Sequence, residues 1–253
     1  MKTAAAARNL LAGAAVCLLF LTVSVAARAE HKMYQGRTGL PAVRDSKGNV
    51  WLERGNVDLN VRGTSLVETA SFRLHYPSGK LEKGADQIQV AVREDFYRSK
   101  DNGAGDLNEA DARGFTDFSA AVDGRRQDVS IEPWKLNDKK DTATRWRTWW
   151  VHFTPGKVHT MTIRSQAPLG WDGGHRTVEF VSKDLGGWRS VPDLVEVRLN
   201  TPGRSEAHLA GLEPKPEDQS ARGIRWVYRK VQPKRDIFVM LPPDYPTNRR
   251  ASR

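Results

Sequence analysis

The sequence predicts an all-β protein: one or two antiparallel immunoglobulin-like β-sandwiches preceded by a helical signal peptide. Three observations predict it. Apolar and polar residues alternate in segment after segment, as at Val57, Leu59 and Val61 or Ile88, Val90 and Val92; that is strand period, not helix period. Turn clusters rich in Pro, Gly, Asn and Asp punctuate these segments at short spacing. Beyond residue 29 no stretch has the spacing of an amphipathic helix of useful length.

Residues 1–29 read as the signal. Lys2 and Arg8 give a positive start, residues 10–25 are apolar, and Ala27-Arg28-Ala29 is a small-x-small cleavage pattern, so the cut is expected before Glu30. A lipoprotein signal acylated at Cys17 is the rival, but Val16 stands where a small residue is required. Cutting before Glu30 removes the single cysteine. The mature chain then has no disulfide, no thiolate nucleophile and no cysteine metal site, and its stability rests on burial. No second apolar segment has membrane-spanning length, so a soluble periplasmic or secreted protein is expected.

The formal charge is +10, of which Lys2, Arg8 and Arg28 supply three. Such a balance suits a solvated surface and also attracts polyanions. The basic residues are spread along the chain except at 249–253, and residues 244–253 read as a disordered basic tail.

Residues 31–49 are an irregular lead-in. Val57 to Val61 form a strand, and Leu66, Ala70, Phe72, Leu74 and Tyr76 share one parity of the next, with Glu68 the single break. Residues 99–114 form a polar, acidic insertion. Counted from Asp101 it fails the EF-hand template, since Gly103 and Gly105 fall at ligand positions. It reads as a surface loop with a helical turn at 108–113, or an irregular calcium loop. Residues 115–131 form a hairpin around Asp123-Gly124, a pair suited to a type I′ turn. That register sets Phe118 opposite Val129 and Thr116 opposite Ile131. The charged stretch 133–142 marks a boundary between a 30–135 half and a 136–243 half.

The organising element is residues 145–164, read as a central hairpin around Pro155-Gly156. It sets His152 opposite His159 and Trp150 opposite Met161. One face then carries Trp146, Trp150, His152, His159, Met161 and Ile163, the other Trp149, Val151, Phe153 and Val158. Both faces are apolar-rich, which suggests material on both sides. Further strands follow at 177–182, 191–199, 224–228 and 236–241, with a Gly-rich loop at 167–176 and a helical turn at 206–212. In all, about eleven strands are expected.

Few residues carry chemistry. His152 and His159 would be cross-strand neighbours, about 4.5–5.5 Å apart at Cβ. Two imidazoles so placed can chelate zinc or copper, although the sequence names no third ligand, and packing is the alternative. Of the eight tryptophans, Trp171 and Trp188 sit in Gly-rich loops and are candidates for stacking on sugar rings. Trp150 and Trp226, in alternating strands, read as core. No G-x-S-x-G, H-E-x-x-H, P-loop or dinucleotide motif occurs, and no cofactor is indicated. Glu94 and Asp95 are adjacent and point to opposite sheet faces. Arg145-Trp146-Arg147 is too little for a nucleic-acid surface.

The segments RWRTWWVHF, SKDLGGWRSVPDLVEVRL and GIRWVYRKVQPKRDIFVMLPP, within residues 128–243, resemble exported bacterial β-domain families of uncharacterised function. The resemblance implies an exported all-β domain and assigns no functional residues. The expectation is a non-enzymatic envelope protein that binds a partner, either a glycan or another exported protein, or that serves structurally. Carbohydrate binding through Trp171 and Trp188 is the alternative, and a hydrolase or metal site assembled only in the fold is a second.

Overall fold

A computed structural model describes residues 34–35, 38–45, 50–76, 86–97, 112–137, 142–172, 175–183, 188–189, 191–200, 210–220 and 223–242. Among these, every regular element is a strand. The first seven are β1 (Tyr34–Gln35), β2 (Thr38–Gly39), β3 (Ala42–Asp45), β4 (Trp51–Arg62), β5 (Ser65–His75), β6 (Gln87–Tyr97) and β7 (Ala112–Arg113). Next come β8 (Asp117–Val122), β9 (Arg125–Arg126), β10 (Ser130–Ile131), β11 (Lys135–Asn137), β12 (Thr142–His152) and β13 (Val158–Pro168). The chain continues through β14 (Gly170–Asp172), β15 (His175–Val181), β16 (Leu194–Asn200) and β17 (Ala210–Glu213). It closes with β18 (Asp218–Ser220), β19 (Gly223–Arg229) and β20 (Ile237–Met240).

An eight-stranded sheet runs β18-β19-β16-β4-β5-β13-β8-β9. A five-stranded sheet runs β10-β12-β6-β3, with β11 also on β12. Another five-stranded sheet runs β14-β15-β20-β17, with β2 on β15. The segment 38–45 joins the two smaller sheets, because β2 pairs with β15 and β3 with β6. Most pairs are antiparallel. The exceptions are β4–β16, in the middle of the large sheet, and the short β1–β7 and β2–β15 pairs. The purely antiparallel arrangement expected from sequence is corrected at these three.

Period-2 alternation places the core. Ala120, Ile163, Ala70, Val57, Val197 and Trp226 form one row across β8, β13, β5, β4, β16 and β19, and all six are buried. The smaller sheets bring Ile88, Val90 and Val92 of β6, Trp149 and Val151 of β12, Val178 and Phe180 of β15, and Ile237 and Val239 of β20. All belong to a single hydrophobic cluster. Strands from either side of 135/136 pair with one another: β12 lies on β6, β13 lies between β5 and β8, and the cluster runs from Leu40 to Leu241.

The central hairpin is overturned. β12 pairs with β6 along its whole length, from Thr142↔Tyr97 to His152↔Gln87. β13 pairs with β5 and β8 in the large sheet. Residues 153–157 are a crossover between sheets, still turning at Pro155-Gly156. Parity is the physical reason. β12 buries Trp149 and Val151, whereas β13 buries His159, Met161 and Ile163. In the hairpin register Val151 would share a face with Thr160 and Trp149 with Thr162, and both threonines lie outside the buried set. No single sheet can bury one side of such a pair.

The Asp123-Gly124 turn is as expected, with φ of 49° and 77°, and its register holds at Val122↔Arg125 and Ala121↔Arg126. The ladder then ends, and β10 goes to β12 of the other sheet. Two expected helical turns fall partly on strand: Ala112–Arg113 is β7 and Ala210–Glu213 is β17. The rest of those turns, the leader 1–29, the tail 244–253 and most of the acidic insertion lie outside the described residues.

Gly55 stands opposite Phe72. A Cβ there would come within 2.9 Å of the Phe72 ring in the core. Gly55→Ala should therefore destabilise the fold by about 1–3 kcal/mol, the usual penalty of overpacking. A urea titration of both proteins checks this.

Candidate functional site

The four residues singled out from sequence fall in different places. Trp188 is buried, and its indole N–H donates to the Pro41 carbonyl at 3.0 Å. No ring face is left for a sugar, so the expectation at Trp188 is corrected. The Trp171 backbone lies in β14 opposite Arg176, while its side chain lies outside the described residues. His152 is exposed at the end of β12, and His159 is buried on β13. They belong to different sheets, so the cross-strand pair invoked for a metal is not formed. Among the described residues no cluster of three or more His, Cys, Asp or Glu is placed to hold a metal ion.

His159 instead makes a local network. Its Nδ1 lies 2.6 Å from Asp123 Oδ2. Its Nε2 accepts the Thr154 backbone N–H at 3.2 Å. The Phe153 ring meets the imidazole edge-on with centroids 5.3 Å apart. Asp123 also accepts the Thr160 N–H at 2.8 Å and donates its own N–H to the Thr160 carbonyl at 2.8 Å. One carboxylate thus ties the β8–β9 turn to β13. Partial burial pushes its pKa up, but the Thr160 N–H, the His159 hydrogen bond and charge, and Arg125 together hold it below the ordinary carboxylate value.

A second polar group lies inside the fold. Glu94, 1% exposed, accepts hydrogen bonds from Arg145 Nε at 2.5 Å and the Phe115 N–H at 2.7 Å, and Arg147 Nε lies in ion-pair range at 3.4 Å. Arg145 sits over Phe96, and Arg147 over Phe115 and Phe118. On the facing sheet Ser165 Oγ donates to the fully buried Glu68 at 2.9 Å. The Glu94 charge is compensated where it stands, and its network reads as a device that fixes sheet register.

The face best placed to meet another molecule is the outer side of β12 and β6. Trp146, Trp150 and His152 share it, as their parity requires. Trp146 is half-buried and capped by Arg44, whose guanidinium lies 4.6 Å from the ring centroid. Arg44 in turn pairs with Glu132 at 3.3 Å. Trp150 lies opposite Gln89, and His152 opposite Gln87. Among the tryptophans whose side chains are described, Trp150 alone is exposed, at 44%. The alternating pattern predicts it in the core with Trp226. Trp226 is buried, with its N–H on the Pro214 carbonyl at 2.7 Å. The signal missed was the adjacent pair: Trp149 and Trp150 must face opposite ways, so one of them faces out unless another layer covers it.

No protein-family model matches the chain, and no curated protein matches it in sequence. Among solved structures, a "putative nutrient binding protein" from Legionella pneumophila is 14% identical, with a TM-score of 0.58, over 83% of this chain and 72% of that one. The two share a fold. Native leukotriene A4 hydrolase from Saccharomyces cerevisiae is 11% identical with a TM-score of 0.41. That match covers 90% of this chain and 32% of the enzyme, so the chain spans about a third of the enzyme's length. An M1 zinc metallopeptidase from Deinococcus radiodurans is 10% identical with a TM-score of 0.34, over 77% of this chain and 43% of that one. The Legionella likeness speaks to fold and not to activity.

The Asp123 arrangement has a definite pH sign. Its folded pKa lies below the unfolded one, so its contribution to stability is present above the ordinary carboxylate pKa of about 4 and is lost as pH falls through the depressed value. Asp123→Asn tolerates the left-handed turn and should flatten the loss of stability on acidification below about pH 4. Denaturation midpoints of the two proteins measured down through that range check it.

Proposed function

We propose that the chain is an exported, immunoglobulin-like β-sandwich protein of the bacterial envelope that acts by binding and not by catalysis. In this reading residues 1–29 are the export signal and the mature protein is periplasmic or secreted. The resemblance of residues 128–243 to exported β-domain families fits the same reading. No helix among the described residues is long and apolar enough to cross a membrane. The fold shared with the Legionella protein described as a "putative nutrient binding protein" is compatible with a binding role.

The observation that carries the proposal is Trp150. A large aromatic ring left open on a sheet face, beside the side chains of Gln89, Gln87 and His152, supplies apolar contact flanked by hydrogen-bonding groups. A ligand with alternating apolar faces and hydroxyls suits that surface, which makes a glycan the preferred partner and another exported protein the second. In this reading the contact surface is the β12–β6 face, and the buried Trp188 takes no part.

The test is retention of envelope glycans and envelope fractions on immobilised mature protein, with Trp150→Ala in parallel. Retention should exceed that of a heat-denatured control, and Trp150→Ala should weaken it about tenfold or more, as truncation of a central aromatic contact does. Because Trp150 is 44% exposed, its loss should cost less stability than the about 3–5 kcal/mol typical of truncating a buried tryptophan. Equal retention by the variant would move the site elsewhere, and no retention above control would count against binding.

A further inference from the structure

We propose that His159 is an acid-operated latch on the crossover between the two sheets that it touches. The crossover, residues 153–157, is the link through which β12 of one sheet becomes β13 of the other. Its first residues are held on three sides. The Phe153 N–H donates to the Asp86 carbonyl at 2.7 Å, the Gly156 N–H to the Tyr76 carbonyl at 3.0 Å, and the Thr154 N–H to His159 Nε2 at 3.2 Å. The first two acceptors are carbonyls and do not respond to pH. The third is a ring nitrogen, and it accepts only while it lacks a proton.

The geometry fixes the tautomer. Asp123 is acceptor-only when ionised, so Nδ1 carries the proton and donates to it at 2.6 Å. Nε2 is then the lone-pair nitrogen that faces Thr154. When the ring takes up a second proton, Nε2–H and the Thr154 N–H become two donors pointed at one another. The Asp123 bond tightens at the same moment, because it now joins opposite charges. Protonation therefore shifts the ring's hold from the crossover to the β8–β9 turn. Thr154 is exposed and its hydrogen bond to the ring is part-buried, so the freed N–H lies at the edge of solvent.

The surroundings favour such a device. Asp123 faces the ring, and Arg125 stands close enough to Asp123 to act on its charge, both from the β8–β9 region. Leu74 of β5 lies opposite His159, and the Phe153 ring covers its edge while stacking on Tyr76. Lys157 in the crossover is exposed.

The test uses the full mature chain labelled with ¹⁵N. Near neutral pH, Nε2 should show the shift of an unprotonated ring nitrogen and the Thr154 amide should be protected from exchange. As the ring protonates, protection at Thr154 should fall about tenfold with the same midpoint, the effect of losing one hydrogen bond. Protection at Phe153 should hold. His159→Gln keeps an acceptor that does not titrate and should make Thr154 protection independent of pH. A proton on Nε2 at neutral pH, or Thr154 protection unchanged across the ring's titration, would overturn the latch. If the glutamine variant fails to fold, the unmodified chain decides alone.

Discussion

The fold depends on one constraint: strands of three sheets must turn a single parity of side chains toward one shared core. In the eight-stranded sheet, successive buried rows run from β8 across to β19 without a break in phase, even where β4 and β16 run parallel. The crossover at 153–157 is where the chain satisfies that constraint twice. Before it, Trp149, Val151 and Phe153 are buried; after it, His159, Met161 and Ile163 are. The connection carries the chain from one wall of the core to another and does not return it to the same wall. Its backbone groups are answered locally by Asp86, Tyr76 and His159, which is what a connection within a packed end needs.

Charges inside the fold obey the same rule. Glu68 breaks the apolar alternation of β5 but not its phase, and it is buried with Ser165 as partner. Glu94 is nearly inaccessible and carries two arginines and a backbone N–H. Buried ions contribute little net stability and penalise any slip that would separate them. A one-residue slip of β12 on β6 would take Arg145 and Arg147 away from Glu94 and turn Trp150 inward. The network and the exposed tryptophan are thus two consequences of one register.

Much of the architecture was legible in the residues. The strands of 57–61, 66–76, 88–92 and 224–228 announce themselves by alternation, and the Asp123-Gly124 turn by its need for positive φ. What misled was residues 145–164. Two apolar faces around Pro-Gly suit a central hairpin, and they equally suit a crossover between sheets, since short-range pattern carries no information about which partner strand is used. That choice moved His152 away from His159 and moved Trp150 from core to surface. The burial of Trp188 was illegible for a different reason: it depends on the Pro41 carbonyl, far away in sequence. A glycine-rich neighbourhood says nothing about what arrives from elsewhere to cover it.

The pairing of β12 is the claim on which the exposed face, the crossover and the His159 latch all rest. The mature chain expected from residue 30 onward contains no cysteine, so disulfide trapping can be read without background. Directly paired antiparallel residues lie at distances a disulfide accepts. His152→Cys with Gln87→Cys should therefore cross-link readily under mild oxidation, while Val151→Cys with Thr160→Cys should not. Efficient cross-linking of Val151→Cys to Thr160→Cys, with none between positions 152 and 87, would restore the hairpin and contradict the account.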